Sequence, residues 1–354
     1  MTPIQTPVAL FVFNRPDLTA QAMARLSKIR PRRLLLVADG PRHSNDRQLC
    51  EKTLEAVYSG LSWNAQLETL ISAENLGCRR RLETGLDWVF EQTDRAIVLE
   101  DDIEATPAFF AFAEQALAVF AEEPSLRMIT GRNVLIESPQ RSTPFLARKG
   151  AIWAWATWAD RWRTYRAKFQ NAGKDVLLAG LERHSEHPLF LRLQQHLLRS
   201  RLWDRIDTWD IPWTLWIVAS GGYCLTPPVN LSANHGIGLN ATHTRGVNDL
   251  RAVYPLRDWR WQMPSGVATV LPELDPQYDL LFTLLEMLLL YDHPRRWKLL
   301  ARRRDALPKP QDEGWQLMLG PFDYVPETRA LVAHFRSLMS HPQLDALAAI
   351  FDER

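Results

Sequence analysis

Short apolar runs alternate with helical patterns through the first third of the chain. The runs occupy residues 8–13, 34–38, 67–72, 96–99 and 127–130. Apolar residues at helical spacing lie between them, including Leu18, Ala22 and Leu26, and later Leu82, Leu86, Val89 and Phe90. Strands that alternate with helices join a parallel sheet, because each helical crossover returns the chain to the same edge. We therefore expect an α/β fold with a mainly parallel central sheet, and a first helix that opens at Asp17 or Thr19.

The later parts of the chain differ from the first third in residue composition and pattern. With 354 residues, 46% of them hydrophobic, the chain can build one elaborated domain or two closely joined ones. Eight of the 14 tryptophans lie between Trp153 and Trp216, and a leucine-rich helical pattern begins near Asp275. We divide the chain into a first part at residues 1–140, an aromatic-rich part at 141–250 and a mostly helical C-terminal extension at 251–354.

The charge balance argues against nucleic acid as a partner, because the formal net charge is only +1. Three cysteines, Cys50, Cys78 and Cys224, show no paired metal spacing, which predicts reduced thiols and a cytoplasmic protein. No apolar segment reaches the length of a membrane span. A basic run fits either a solvated helix face or a peripheral contact at the inner face of the membrane: Arg295, Arg296, Lys298, Arg302, Arg303 and Arg304.

Three consecutive acids follow the fourth apolar run, in "AIVLEDDIEATPAFFAF" at residues 96–112. Thr106 and Pro107 have the pattern of an N-cap and a first helical residue, so the acids lie between the carboxyl end of a strand and a helix. Glu100, Asp101 and Asp102 repel one another unless a cation or ordered donors offset their charge. The cluster indicates a bound metal ion, although acids that solvate a turn and complement the helix dipole would give the same pattern.

Two further features bear on ligands. The dense tryptophans could line a sugar site, because flat rings cover the apolar faces of pyranoses, or they could form core. After Pro227, "NLSANHGIGLNATHT" predicts a polar loop of the kind that often serves as a lid. His235 and His243 lie in it, and either one could bind metal or diphosphate or remain a solvated surface histidine.

The acidic stretch is similar to the metal-binding stretch of the eukaryotic N-acetylglucosaminyltransferase I family. The shared features are the strand, the Glu-Asp-Asp triplet, the following Pro and the paired Phe. Their order also agrees: a first strand ending in "FNRPDL", a second ending in "VADG", an "ENLG" segment, the acids, and then the tryptophan-rich part. Residues beyond 250 have no counterpart. The resemblance implies a Rossmann-like GT-A fold and an inverting glycosyltransferase that uses a nucleotide-diphosphate sugar, most simply a UDP-sugar.

The resemblance also implies roles for single residues. Asp102 would be the direct ligand of Mn²⁺ or Mg²⁺, while Glu100 and Asp101 orient the sugar and ribose. Asn14 and Arg15 would contact the nucleotide at the end of the first strand, and Asp39 in "VADG" would hold the uracil or its ribose. Asn75 in "ENLG" belongs to the same nucleotide-sugar site. Arg15 as a surface ion pair and Asp39 as a turn former are the competing interpretations.

One cation and two acids complete the candidate residues. Arg79 follows "ENLGC" and could meet phosphate charge or face solvent. Displacement at the anomeric carbon needs a base for the acceptor hydroxyl. Asp210 in "TWDIPWTLW" lies among apolar residues that could raise its pKa into a useful range, near the place of the related family's Trp-Asp-Asp motif, with Asp207 as a nearby rival. Capping of the following helix is the alternative role for Asp210.

We expect a metal-dependent glycosyltransferase that passes a sugar from its nucleotide donor to a glycan, glycolipid or protein acceptor. A sugar nucleotidyltransferase is the first alternative, but that class usually has a glycine-rich loop where this chain has "FNRPDL". A carbohydrate-binding protein with a transferase fold and no turnover is the second, because fold does not fix function.

Overall fold

The structure is a computed structural model that describes residues 3–137, 141–169, 171–201, 203–204, 207–236, 254–262, 270–290, 325–338, 340, 344–345 and 348. Its strands are β1 (Val8–Val12), β2 (Arg33–Ala38), β3 (Gln66–Ile71), β4 (Arg95–Glu100), β5 (Ile103–Ala105), β6 (Leu126–Thr130), β7 (Phe145–Ala147), β8 (Trp155–Trp158), β9 (Tyr223–Thr226) and β10 (Ser232–Asn234). Its helices are α1 (Pro16–Ile29), α2 (Ser44–Gly60), α3 (Cys78–Gln92), α4 (Pro107–Val119), α5 (Ala159–Phe169), α6 (Lys174–His184), α7 (Pro188–Ser200), α8 (Asp210–Ala219), α9 (Pro276–Leu290) and α10 (Val325–Leu338).

Eight of the described strands form a central sheet in the order β3-β2-β1-β4-β8-β6-β9-β7. All of them except β7 and β8 run in the same direction. The prediction of an α/β fold with a mainly parallel sheet is therefore confirmed. Strands from beyond residue 140 pair directly with strands of the first part, and β8 lies between β4 and β6. The aromatic-rich part thus extends the sheet of the first part.

Helices cover both faces of this sheet, which explains why its inner strands read as continuous apolar runs. One face packs under α1, α2 and α4, with Leu10, Leu36 and Met23 in its core. The other packs under α3, the helices α5 to α8, and α9 and α10, around Phe11, Val37 and the buried tryptophans. Alternate residues of each strand enter opposite cores, as the two-residue period of a strand requires.

The helix starts illustrate how local sequence sets the elements. The Thr106 side chain caps α4 by accepting the Phe109 backbone N–H at 3.3 Å, and Pro107 is the first helical residue, as predicted. Helix α1 begins at Pro16, earlier than the predicted Asp17 or Thr19. Proline has the φ of a helix and needs no partner for a missing N–H, so it takes the first helical position.

The polar segment after Pro227 is in part regular. Ser232–Asn234, predicted as the start of a loop, forms β10, which pairs antiparallel with β5 directly after the acidic turn. This local expectation was wrong because the pairing joins residues more than a hundred positions apart, which a pattern within the loop does not encode. His243 and the basic run at residues 295–304 lie outside the described residues. None of the described helices combines the length and apolar character needed to cross a membrane.

The C-terminal extension is attached to the sheet by a buried carboxylate. Asp279 of α9 is only 2% exposed and accepts the backbone N–H groups of Arg148 at 3.0 Å and Lys149 at 3.1 Å, just after β7. Burial raises the pKa of Asp279 to about 7, against the two hydrogen bonds, which lower it. The helix therefore bears a titratable group where it meets the edge of the sheet.

We expect this carboxylate to make stability depend on pH. The folded chain keeps the Asp279 proton up to about pH 7, whereas the unfolded chain releases it near pH 4, so raising the pH between these values favours unfolding. The slope is at most about 1.4 kcal/mol per pH unit. Asp279→Asn keeps an acceptor oxygen but does not titrate, so urea unfolding of this variant across that range should have a smaller slope. Identical slopes for the two proteins would contradict the assignment.

Candidate active site

The strands β1, β2 and β4 end at one edge of the sheet, where several of the predicted site residues meet. Asn14 and Arg15 follow β1, and Asp39 follows β2. Glu100 is the last residue of β4, opposite Phe11 of β1, and a turn carries Asp101 and Asp102 beyond it. Because parallel strands bring their carboxyl ends together, residues far apart in the sequence form one group here.

An ion pair joins the first strand to the acidic turn. The Arg15 guanidinium lies 2.6 Å from the Asp102 carboxylate and 3.6 Å from that of Asp101. All three side chains are largely buried, with exposed fractions of 23% for Arg15, 8% for Asp101 and 12% for Asp102. Arg15 thus offsets part of the negative charge that three adjacent acids create.

Arg15 does not offset all of the negative charge of the three acids. Burial, followed by the charges of Asp102 and Asp101, raises the pKa of Glu100, and Arg15 acts against this shift. Burial and the charge of Asp102 likewise raise the pKa of Asp101. One oxygen of Asp101, Oδ2, and one of Asp102, Oδ1, are buried without a hydrogen-bond partner. Unpartnered buried carboxylate oxygens are costly, and a hard cation is the partner that suits them.

The chain after β10 covers the acidic turn. The backbone N–H of His235 donates to the Asp102 carbonyl at 2.8 Å, and its imidazole Nε2 lies 2.6 Å from a carboxylate oxygen of Glu104. Gly236 packs so closely that a Cβ on it would lie 2.0 Å from the Asp102 carboxylate. Only glycine therefore fits beside this carboxylate. Among the described residues, no group of three or more His, Cys, Asp and Glu side chains is arranged to hold a metal ion.

Asp39 and Asn75 lie together at the end of β2. The Asp39 carboxylate accepts the backbone N–H groups of Leu76 and Gly40, both at 2.9 Å, and the Asn75 side-chain amide, also at 2.9 Å. Burial raises the pKa of Asp39, against these hydrogen bonds. Gly40 touches the backbone of Glu74, where a Cβ would not fit. Asp39 therefore holds the "ENLG" loop in place, which makes it more than a turn former.

Asn14 and Arg79 also have protein partners. The Asn14 amide donates to Asp46 at 2.8 Å, and Arg42 pairs with the same carboxylate at 2.6 Å. The Arg42 hydrogen bond is the main cause that lowers the pKa of Asp46 to about 2. Arg79 pairs with Glu83 at 3.2 Å and with Asp204 at 2.6 Å. The Arg79 side chain therefore links α3 to the segment that follows α7.

The two candidate bases have different surroundings. The Asp207 carboxylate accepts the backbone N–H of Cys78 at 2.9 Å and so supplies a cap for α3, whose adjacent residue Gly77 has no side chain to do so. Asp210 begins α8, and the Thr208 hydroxyl donates to its carboxylate. The charge of Asp210 contributes to the raised pKa of Glu100, after burial and the two aspartates of the turn. Asp210 therefore belongs electrostatically to the acidic group.

Cys78 lies among the same carboxylates. Burial raises the pKa of its thiol, and the charges of Glu100, Asp210, Asp207 and Asp102 add to the shift. The cysteine stays protonated and unsuited to nucleophilic chemistry. Its position nevertheless marks where the start of α3, the acidic turn and the start of α8 converge.

The tryptophans of the second part are mainly core. Trp155, Trp162, Trp209 and Trp213 are each at most 2% exposed. Trp209, immediately before Asp210, stacks on Trp155 of β8 with ring centroids 5.3 Å apart. These rings do not line a sugar site; they fix the start of α8 against the sheet.

One group at this edge was missed by sequence reasoning. Arg132, which follows β6, is buried between two rings, with its guanidinium 3.8 Å from the Trp153 ring centre and 4.1 Å from that of Tyr254. The Gly131 N–H donates to the Ala154 carbonyl at 2.7 Å, which aligns the two segments. A cation directly after a predicted strand was an available signal for Arg132, whereas nothing local points to Tyr254.

We expect Asp207 to act through stability. Asp207→Ala removes the cap of α3 and places alanine at a φ of 49°, so the free energy of unfolding should fall by about 1 to 2 kcal/mol. Asp207→Asn should stay near the wild type, because asparagine accepts the same N–H and tolerates positive φ. Denaturant unfolding of both variants checks this, and equal stability of Asp207→Ala and the wild type would refute the capping role.

This edge of the sheet is the part of the described structure from which a function can be assigned. It combines acids with raised pKa values, unpartnered carboxylate oxygens, a half-buried arginine and a covering segment. Perturbed acids in such a position are typical of functional sites. No protein-family model matches the chain, and no curated protein matches it either.

Proposed function

We propose that this protein is a metal-dependent, inverting glycosyltransferase of GT-A type that uses a nucleotide-diphosphate sugar, most simply a UDP-sugar. The observation that carries the proposal is the pair of buried, unpartnered oxygens on Asp101 and Asp102, beside Arg15 at the carboxyl edge of the sheet. A divalent cation and a diphosphate together match this combination of acids and guanidinium. The resemblance of the Glu-Asp-Asp stretch to a glycosyltransferase family supports the same function.

The acids present fit Mn²⁺ or Mg²⁺, with Asp102 as the direct ligand. Such ions are commonly held by one or two carboxylates together with substrate phosphates. When bound, the ion would offset the charge that develops on the diphosphate leaving group. His243 remains a candidate second ligand that lies outside the described residues.

The chain's own residues would bind and orient the donor. Arg15 lies next to the same carboxylates, so its guanidinium is placed to pair with a phosphate once a cation takes over Asp102. Glu100, whose pKa is raised, can donate a proton in a hydrogen bond to a sugar or ribose oxygen. Asp39 and Asn75 hold the "ENLG" loop beside the nucleotide end of the site. The Asn14 amide donates to Asp46 in the first turn of α2 and so connects the end of β1 to the segment after β2.

Asp210 would take the proton of the acceptor hydroxyl. It belongs electrostatically to the acidic group and begins α8, whereas Asp101 and Asp102 lie in the turn after β4, so in the proposed complex the acceptor would lie beside α8 and the diphosphate at the acidic turn. Attack from the side opposite the leaving group gives inversion at the anomeric carbon. The acceptor is a glycan, glycolipid or protein. We place the reaction in the cytoplasm because Cys50, Cys78 and Cys224 are all free thiols.

We expect Asp102→Asn to weaken Mn²⁺-dependent UDP binding by about tenfold or more and nearly to abolish donor hydrolysis, because the variant loses a charged metal ligand. Titration calorimetry with UDP, with and without Mn²⁺, measures the first effect, and release of UDP from the sugar donor measures the second. Glu122→Gln also removes one negative charge, but from an exposed residue, so this variant is the control and should behave as the wild type. Unchanged affinity in Asp102→Asn would contradict the metal assignment.

We expect Asp210→Asn to separate chemistry from binding. Donor turnover should fall by roughly 10²- to 10⁴-fold, the usual contribution of a positioned general base, while UDP and Mn²⁺ affinities stay near those of the wild type. Asp207→Asn makes the same change three residues away, where the carboxylate caps α3, and should retain most activity. If Asp210→Asn is stable and keeps more than about a tenth of wild-type turnover, the base lies elsewhere.

A further inference from the structure

A basic cavity lies where the start of α3 meets the helical layer on one face of the sheet. It has a volume of about 300 Å³ and lies between the end of α5, the start of α6 and the end of α7. Four cations and five apolar residues line it: Arg79, Lys174, Arg199 and Arg201, with Phe169, Ala172, Leu177, Leu198 and Trp203. The size suits a ligand of about one sugar unit, at the lower end of small-molecule sites.

The cations of the cavity are only partly balanced by acids. Asp204 pairs with Arg79 at 2.6 Å and with Arg201, also at 2.6 Å, so one carboxylate serves two guanidinium groups. Glu83 adds a second contact to Arg79 at 3.2 Å. Within the described part of the chain, the side chains of Lys174 and Arg199 make neither a hydrogen bond nor an ion pair. The cavity therefore carries an excess of positive charge that an anion can offset.

The apolar lining points to more than a bare anion. Trp203, Leu177 and Leu198 are buried at 3% to 6% exposure. Phe169 and Ala172 are only half-buried, so they form an accessible hydrophobic wall beside the exposed Lys174 and Arg199. Sugar rings present apolar faces to such walls, while a charged substituent meets the cations. The combination fits an acidic sugar better than inorganic phosphate.

The cavity is next to the proposed reaction centre on the acceptor side. Arg79 directly follows Cys78, whose thiol lies among Glu100, Asp207 and Asp210. Asp207 holds the backbone at this point by accepting the Cys78 N–H. The cavity and the acidic group that includes Asp210 therefore both adjoin the start of α3.

We propose that this cavity binds the phosphate-bearing sugar of the acceptor, with Lys174 and Arg199 contacting the phosphate. A phosphate ester offers several acceptor oxygens and up to two charges, which matches cations that converge from separate helices. The role of acceptor rests on the proposed function. The phosphate can belong to a free sugar phosphate or to the headgroup of a glycolipid, and both present the same chemistry to the cavity.

The test measures binding to the intact chain by titration calorimetry at low and high salt. Glucose 1-phosphate should bind saturably and more weakly at high salt, and unmodified glucose should bind at least about tenfold more weakly, since it lacks the charge. Vesicles that carry a hexosyl-phosphate lipid form a second arm, and tighter binding there than to glucose 1-phosphate identifies the lipid-linked source. Binding of neither phosphate, or equal binding of glucose, would overturn the proposal.

Two double variants locate the site. Lys174→Gln/Arg199→Gln should weaken glucose 1-phosphate binding by about tenfold or more, because two charged contacts are lost. Lys28→Gln/Lys52→Gln removes the same charge from exposed positions on α1 and α2 and should leave binding unchanged. If the first pair lowers only the melting temperature and leaves glucose 1-phosphate binding unchanged, the cations act on stability alone, as Arg199 would by complementing the carboxyl end of α7, and the proposal is wrong.

A separate measurement distinguishes failure of the proposed function from failure of the cavity proposal. Mn²⁺-dependent binding of UDP to the wild type tests the donor site and does not involve the cavity. UDP binding without glucose 1-phosphate binding would leave the transferase proposal standing and remove the cavity proposal. Glucose 1-phosphate binding without any nucleotide binding would keep a sugar-phosphate site and remove its role as acceptor site.

Discussion

The ion pair between Arg15 and Asp102 is the interaction on which the candidate site depends. Three adjacent acids end β4 in a buried position, and such charges are unstable in the folded chain unless a cation lies among them. Arg15, placed by the parallel pairing of β1 with β4, supplies that cation at 2.6 Å. The free protein thus already holds a positive charge where the proposed metal ion and diphosphate would bind, and any ligand has to replace this contact as well as add its own.

The remaining acids at this edge divide into two groups by their hydrogen bonds. Asp39 and Asp207 each accept backbone N–H groups, and through them they fix the "ENLG" loop and the start of α3. Within the described residues, the side chains of Asp210 and Glu100 accept no backbone N–H, and the two acids share the electrostatic field of the turn. A carboxylate committed to backbone donors stabilises a shape, whereas one held by other charges can exchange protons or ligands. This distinction separates positioning residues from candidates for chemistry.

Much of the first part of the fold follows from local pattern, because each strand and helix there is a continuous segment with its own period and cap. The insertion of β8 between β4 and β6 does not, since it depends on a pairing between residues about sixty positions apart. The position of Asp39 was predictable from the end of its strand, but its use as a loop anchor depends on Leu76 and Asn75 reaching back to it. The surroundings of Arg132 were unpredictable for the same reason, because both of its aromatic partners come from other segments.

The dense tryptophans have a consequence for the chemistry even though they form core. Trp209 precedes Asp210 directly and stacks on Trp155, which itself lies in β8 beside β4. Trp213, one turn further along α8, is fully buried and packs against Trp155 with ring centroids 6.0 Å apart. A carboxylate at the first position of this helix is therefore held relative to the strand that ends in Glu100 by large, rigid contacts. Such support is what a general base needs, because misplacement by about 1 Å can cost orders of magnitude in rate.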